Sequence, residues 1–157
     1  MLKAEVTVLI IVDVQGQLAH LMYEKEALFK NLTSVIKGAK VLGLPILWLE
    51  QLPEKLGGTI PEVADLLSEI EPIHKTSFSA CRNENFIASL KAINPKQLLV
   101  VGIEAHICVY QTAVDLVDLN YDVEVVVDAI SSRTPENKQL AITKMGDSGV
   151  GLTSTEM

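Results

Sequence analysis

The sequence predicts an α/β fold: a three-layer α/β/α sandwich around a mainly parallel, Rossmann-like sheet of six strands. Three observations predict it. Six short aliphatic runs rich in β-branched residues alternate with segments whose apolar residues recur at helical spacing. The intervening segments are long enough to be crossovers between parallel strands, and such crossovers are right-handed. The composition is 48% hydrophobic but only 4% aromatic, which fits aliphatic strands buried on both faces.

The elements follow in order. Val6 to Val12 is a run rich in β-branched residues and reads as a central strand. Tyr23 to Leu42 carries Leu28, Leu32, Val35, Ile36 and Ala39 at helical spacing, and Gly43 and Pro45 end it. Ile46 to Leu49 is a second strand. Gln51 to Pro61 contains Pro53, Gly57 and Gly58 and reads as a loop. A short helix from Pro61 to Ile70 and a short strand from Ile73 to Lys75 come next. Asn83 to Ile93 is helical, Gln97 to Val101 a strand, and His106 to Leu119 a helix. Val123 to Val127 is a strand, and Pro135 to Met145 a helix with proline in its first turn. Val150 to Leu152 is the last strand.

At 157 residues the chain is expected to form one domain over 1–157 with a single sizeable core. Its longest apolar run stops at Asp13, far short of a membrane span, so no membrane partner is expected. Met1 to Glu5 lacks the apolar stretch of a secretory signal, and two cysteines at unrelated positions give no disulfide framework. A reducing, cytoplasmic location is therefore expected. The net charge of −7 argues against binding a phosphate backbone, so no nucleic-acid partner is expected either. The high apolar content (mean hydropathy +0.30) suggests a subunit interface and a homo-oligomer.

Candidate chemistry gathers at strand ends. Cys108 lies just beyond the run Leu98 to Val101, after Gly102 and a short turn, near the start of a helix. A helix N-terminus carries partial positive charge and free N–H groups, which favour a thiolate. Asp13 follows four aliphatic residues at the end of the first strand, where desolvation raises a carboxyl pKa unless a cation lies beside it. Lys75 ends the short strand that begins at Ile73. In a parallel sheet all three share one carboxyl edge, where ligands of open α/β sheets bind. A lysine charge there stabilises a thiolate, and an aspartate accepts the thiol proton and returns it to a leaving group. Each residue also has a plainer reading: an inert small hydrophobe for Cys108, a cap for Asp13, a solvated loop residue for Lys75.

The sequence resembles the isochorismatase-like cysteine hydrolases. The resemblance rests on Ile11-Val12-Asp13-Val14-Gln15, on His74-Lys75-Thr76-Ser77-Phe78-Ser79-Ala80, and on Gly102-Ile103-Glu104-Ala105-His106-Ile107-Cys108-Val109. It continues through Asp128 to Arg133 and Gly149 to Glu156, so it spans nearly the whole chain in order. Glu50-Gln51-Leu52-Pro53 with Gly57-Gly58-Thr59 looks most like the branch of small members, less like nicotinamidases or true isochorismatases. The resemblance implies the isochorismatase-like hydrolase fold and a catalytic triad of Asp13, Lys75 and Cys108. It further implies a non-proline cis peptide between Ile103 and Glu104, and an oxyanion hole from the backbone N–H groups of Glu104 and Cys108. The implied reaction is attack of Cys108 on a small amide or related acyl compound, giving an acyl-enzyme that water hydrolyses.

Nicotinamidases of the family bind a metal through an aspartate and histidines after the second strand. Glu50 to Lys55 contains no histidine, so no metal and no other cofactor are expected. Glu104, His106 and Cys108 alternate, but alternate residues at a turn into a helix do not converge on one ion. His106 is expected at the pocket entrance, with Gln15, Gln51 and Phe78 as further pocket residues. Cys81 is expected to pack in its loop, and Ser132 and Arg133 stay open between substrate binding and subunit contact. The chain ends at Met157, where relatives continue into another helix, so that C-terminal helix is expected to be absent. The second functional class is a non-catalytic or weakly active member of the same fold, used in oligomeric assembly or partner binding. A redox-active thiol pair is weaker still, because Cys81 is not at Cys-x-x-Cys spacing.

Overall fold

Every residue of the first strand, β1 (Thr7–Val12), is buried, because its side chains alternate between two separate cores. Val8, Ile10 and Val12 pack on one side, and Leu9 and Ile11 on the other. The computed structural model describes all 157 residues. The remaining strands are β2 (Ile46–Gln51), β3 (Ile73–Lys75), β4 (Gln97–Ile103), β5 (Asp122–Ser131) and β6 (Gly151–Thr153). They form one sheet in the order β3-β2-β1-β4-β5-β6, and every adjacent pair is parallel.

The helices are α1 (Gly16–His20), α2 (Lys25–Val41), α3 (Pro53–Leu56), α4 (Pro61–Ala64), α5 (Glu84–Ile93), α6 (Tyr110–Asp118) and α7 (Pro135–Asp147). Apolar residues of α5, α6 and α7 cover one face of the sheet; those of α1, α2 and α4 cover the other. The fold is thus a three-layer sandwich. No helix is long and apolar enough to cross a membrane.

Differences from the sequence reading cluster at loops. The segment 51–61 holds the one-turn helix α3, and α1 follows β1 directly; neither is long enough to show apolar periodicity. The helix expected over Pro61 to Ile70 stops at Ala64 and continues as turns. β5 runs on to Ser131, and its register against β4 shifts between Val100 and Gly102, a bulge that periodicity does not reveal. The expected helix over His106 to Leu119 begins as one π-helical turn, Ala105–Val109, before α6.

Chain order leaves β1 beside both β2 and β4. The strand order therefore reverses between β1 and β4, and a crevice opens beyond their carboxyl ends. Gly102, near the end of β4, has φ +122°, and a Cβ there would lie 2.1 Å from the Val12 carbonyl oxygen. Only glycine lets the two backbones approach so closely. Gly102→Ala is expected to lower stability by about 1–3 kcal/mol. Urea unfolding checks this, and an unchanged midpoint would refute the close-approach account.

Candidate active site

Strand register brings the expected residues together. Val12 pairs with Leu49 and with Gly102, and Gln51 pairs with Lys75, so Gln51, Lys75 and Ile103 end β2, β3 and β4, and Asp13 follows the last residue of β1. Lys75 is 1% exposed and Asp13 3%. The Lys75 ammonium donates to Asp13 Oδ2 at 2.6 Å, Gln51 Oε1 at 2.7 Å, and the carbonyls of Ser77 and Phe78 at 3.0 and 3.1 Å. Its three hydrogens thus face four acceptors, which is how a buried charge is made tolerable.

Asp13 itself has φ +49°, and its N–H donates to the Leu49 carbonyl. Its second oxygen, Oδ1, is the one buried side-chain polar atom without a conventional hydrogen-bond partner. The Cys108 thiol lines the same cavity as Asp13, and the interaction between the two lowers the Asp13 pKa and raises that of Cys108. Burial is the larger effect on both. It pushes the Asp13 carboxyl above the usual range despite the opposing pull of Lys75. Burial first, and then the Asp13 charge, push the thiol up to about 12.

That outcome corrects one expectation. The sequence suggests a thiol eased toward thiolate by a helix N-terminus and Lys75. Lys75 does pull the thiol down, but less than burial and Asp13 push it up. The ammonium is committed to Asp13 and to carbonyls, and Cys108 sits within the π turn rather than at the mouth of a regular helix. Asp13 and Cys108 therefore titrate as a coupled pair beside one fixed positive charge. With one proton between them the trio is neutral, and either losing that proton or gaining another leaves a buried net charge.

The raised thiol has a stability consequence. In the unfolded chain the thiol ionises near 9.0, in the folded chain near 12. Between those values the unfolded state holds fewer protons, so stability is expected to fall as pH rises from about 9 to about 12. Cys108→Ala should flatten that slope. Cys81, whose thiol burial raises to about 11, supplies the remaining thiol contribution. Thermal unfolding across this range checks it; equal slopes for wild type and variant would contradict it.

The crevice above the pair is a cavity of about 200 Å³. Asp13, Gln51, Glu104 and Cys108 border it. Leu18, Leu56, Phe78 and Ile107 supply apolar walls. Its volume is below the ~300–1,000 Å³ usual for drug-sized ligands. The Ile103–Glu104 peptide bond is cis, and the Glu104 N–H donates to no acceptor within the chain.

Two expected pocket residues do not line the cavity. Gln15 is fully buried and its amide is fully engaged: it donates to the carbonyls of Gln51 and Gly57 and accepts from the Gln51 N–H. His106 turns away, its Nδ1 2.8 Å from Ser132 Oγ. Gln51 and Phe78 do line it, and both also hold Lys75. No three His, Cys, Asp or Glu side chains are grouped to hold a metal ion, and Glu104 is paired with Arg133 instead.

Glu50 was not singled out from the sequence. Its Oε1 accepts from the Thr59 N–H and hydroxyl, at 2.7 and 2.8 Å, and Thr59 in turn accepts from the Trp48 indole. Together with Gln15 it pins segment 52–60, which carries the cavity residue Leu56. An acidic residue directly after the apolar run Ile46 to Leu49, with a Gly-Gly-Thr turn beyond it, was the available signal. Gln15→Ala is expected to cost about 1–3 kcal/mol, since it leaves buried backbone groups unpaired. It should also speed proteolysis within 52–60; unchanged cleavage there would contradict the pinning role.

The isochorismatase domain model matches residues 7–157. Isochorismatase domain-containing protein 2 of Danio rerio is 33% identical over 156 residues, covering 99% of this chain and 78% of that protein. The MAR1 ribonuclease of Caenorhabditis elegans superposes with a TM-score of 0.92 at 34% identity, covering 99% of this chain and 80% of that one. The Escherichia coli YcaC gene product, an octameric hydrolase of unknown specificity, superposes with a TM-score of 0.92 at 25% identity, covering 98% and 77%. With the match extending over nearly its whole length, the chain belongs to the isochorismatase domain family.

Proposed function

We propose that this protein is a cysteine hydrolase of a small amide or related acyl compound, working without a metal through an acyl-enzyme. The observation that carries the reading is the buried, otherwise unpartnered Asp13 Oδ1 beside the Cys108 thiol. Cys108 Sγ attacks the substrate carbonyl carbon while its proton passes to Asp13 Oδ1, so no free thiolate has to form first. The Glu104 and Cys108 N–H groups receive the developing oxyanion. Collapse of the tetrahedral intermediate breaks the C–N bond, and Asp13 returns the proton to the departing amine. Water then attacks the thioester carbon, giving a proton to Asp13, and the acid leaves as Cys108 regains its hydrogen. Lys75 holds Asp13 in place and balances its charge before attack and in the acyl-enzyme, while in the tetrahedral intermediate the oxyanion balances Lys75.

The family's hydrolase fold supports this reading, as do the small volume and largely apolar walls of the cavity. The C. elegans relative is a ribonuclease, but a net charge of −7 and a cavity without cationic lining favour a small molecule here. The octameric E. coli relative supports a homo-oligomer, and the two free cysteines support a cytoplasmic setting. Intact-protein mass spectrometry after p-nitrophenyl acetate tests the mechanism. An acetyl increment mapped to Cys108, and lost in Asp13→Asn, is expected. No increment at Cys108 would overturn the hydrolase reading in favour of a non-catalytic assembly role.

A further inference from the structure

The residues that line the cavity above Cys108 include Asp13, Glu104 and Gln51, and none of them is cationic. Lys75, the nearest positive charge, is 1% exposed, lies behind Asp13 and has its hydrogens turned to protein acceptors. The Glu104 carboxylate is 5% exposed, and both of its protein contacts fall on one oxygen. Oε2 accepts from the Arg133 N–H and Nε, each at 3.1 Å. Oε1 has no partner in the chain, and Glu104 is one of the residues that line the cavity. Glu104 lies near enough to Cys108 for its charge to add to the rise in the thiol pKa.

An acceptor with a free lone pair in a mostly desolvated site has one preferred occupant, a hydrogen-bond donor. A second anion beside it meets uncompensated repulsion in a low-dielectric space. We propose that Glu104 Oε1 is a substrate-recognition group, taking an N–H of a neutral or cationic amide and turning away substrates that carry a carboxylate. Arg133 positions it by fixing Oε2, which leaves Oε1 free. This deepens the hydrolase reading and rests on it for the word substrate. The charge preference of the cavity is a separate, measurable property.

The test uses two alkylating probes of similar size and opposite demand, neutral iodoacetamide and anionic iodoacetate. Modification of Cys108 is followed by peptide mass mapping, so that Cys81 does not enter, and each rate is divided by that of N-acetylcysteine. Wild type is expected to prefer iodoacetamide by on the order of tenfold to a hundredfold beyond the free thiol. Glu104→Gln should bring that preference down at least severalfold. Arg133→Gln, an exposed change that unmasks the carboxylate, should move it the other way. Equal normalised rates in wild type, or a preference that Glu104→Gln leaves unchanged, would overturn the proposal. Acylation of Cys108 by p-nitrophenyl acetate reports on the hydrolase reading separately. Acylation without charge preference refutes only the Glu104 assignment, and charge preference without acylation refutes only the hydrolase.

Discussion

Lys75→Met is expected to destabilise the protein by about 3–5 kcal/mol near neutral pH, the largest stability effect of any single substitution considered. The change removes one partner of a fully buried ion pair and keeps the other. Asp13 would then face desolvation with no cation beside it, and Gln51 Oε1 and two carbonyls would lose their donor. The deficit depends on pH with a definite sign. Without Lys75 the folded-state pKa of Asp13 rises further above its unfolded value, so the folded variant gives up stability as pH climbs from about 4. Acid relieves the defect by protonating Asp13, and the gap to wild type should narrow toward that pH. Adding Asp13→Asn should recover a substantial part of the loss, because the unpaired charge is gone. Urea unfolding followed by the fluorescence of Trp48 measures all three. A loss below about 1 kcal/mol at pH 7 would mean that the ion pair is not holding the site.

The second large effect concerns turnover. Cys108→Ala is expected to reduce hydrolysis of a responsive small amide at least about a thousandfold, while the fold survives. The panel to search first comprises nicotinamide and other neutral amides, with ureido acids and N-carbamoyl acids as anionic comparisons. Alanine at this position removes only a small group from a residue already 8% exposed, so unfolding midpoints should change little. Asp13→Asn should fall nearly as far, and the double variant hardly further, since nucleophile and base act in one step. Activity retained in Cys108→Ala would refute covalent catalysis. Losses that simply add in the double variant would refute the shared proton.

Much of this was legible in the amino-acid sequence, for a simple reason. Aliphatic runs such as Val8 to Val12 and Leu98 to Val101 allow hardly any element but a buried strand, so the residues just after them are placed on one sheet edge. Asp13 and Cys108 are placed that way, and Lys75 by the short strand that begins at Ile73. Residues whose work is set by partners distant in sequence were not. Gln15 looked like a pocket residue but is a fastener for Gln51 and Gly57, 36 and 42 positions away. Glu50 stands in a segment quoted for the family resemblance, but nothing local shows that Thr59 returns to meet it. The direction of the thiol pKa was misread for a related cause. Burial outweighs the lysine charge, and burial is a property of the whole fold.

The cage around the Lys75 ammonium has one more consequence. A thioester formed near a free amine is vulnerable to acyl migration from sulfur to nitrogen, which would leave a stable amide and a dead protein. Such migration needs a nitrogen lone pair and room to swing toward the thioester. Lys75 has neither, since its nitrogen donates toward four acceptors and its side chain is sealed from solvent. In the proposed cycle the carbonyls of Ser77 and Phe78 thus protect the protein from its own intermediate, and working lifetime is set partly by two backbone oxygens.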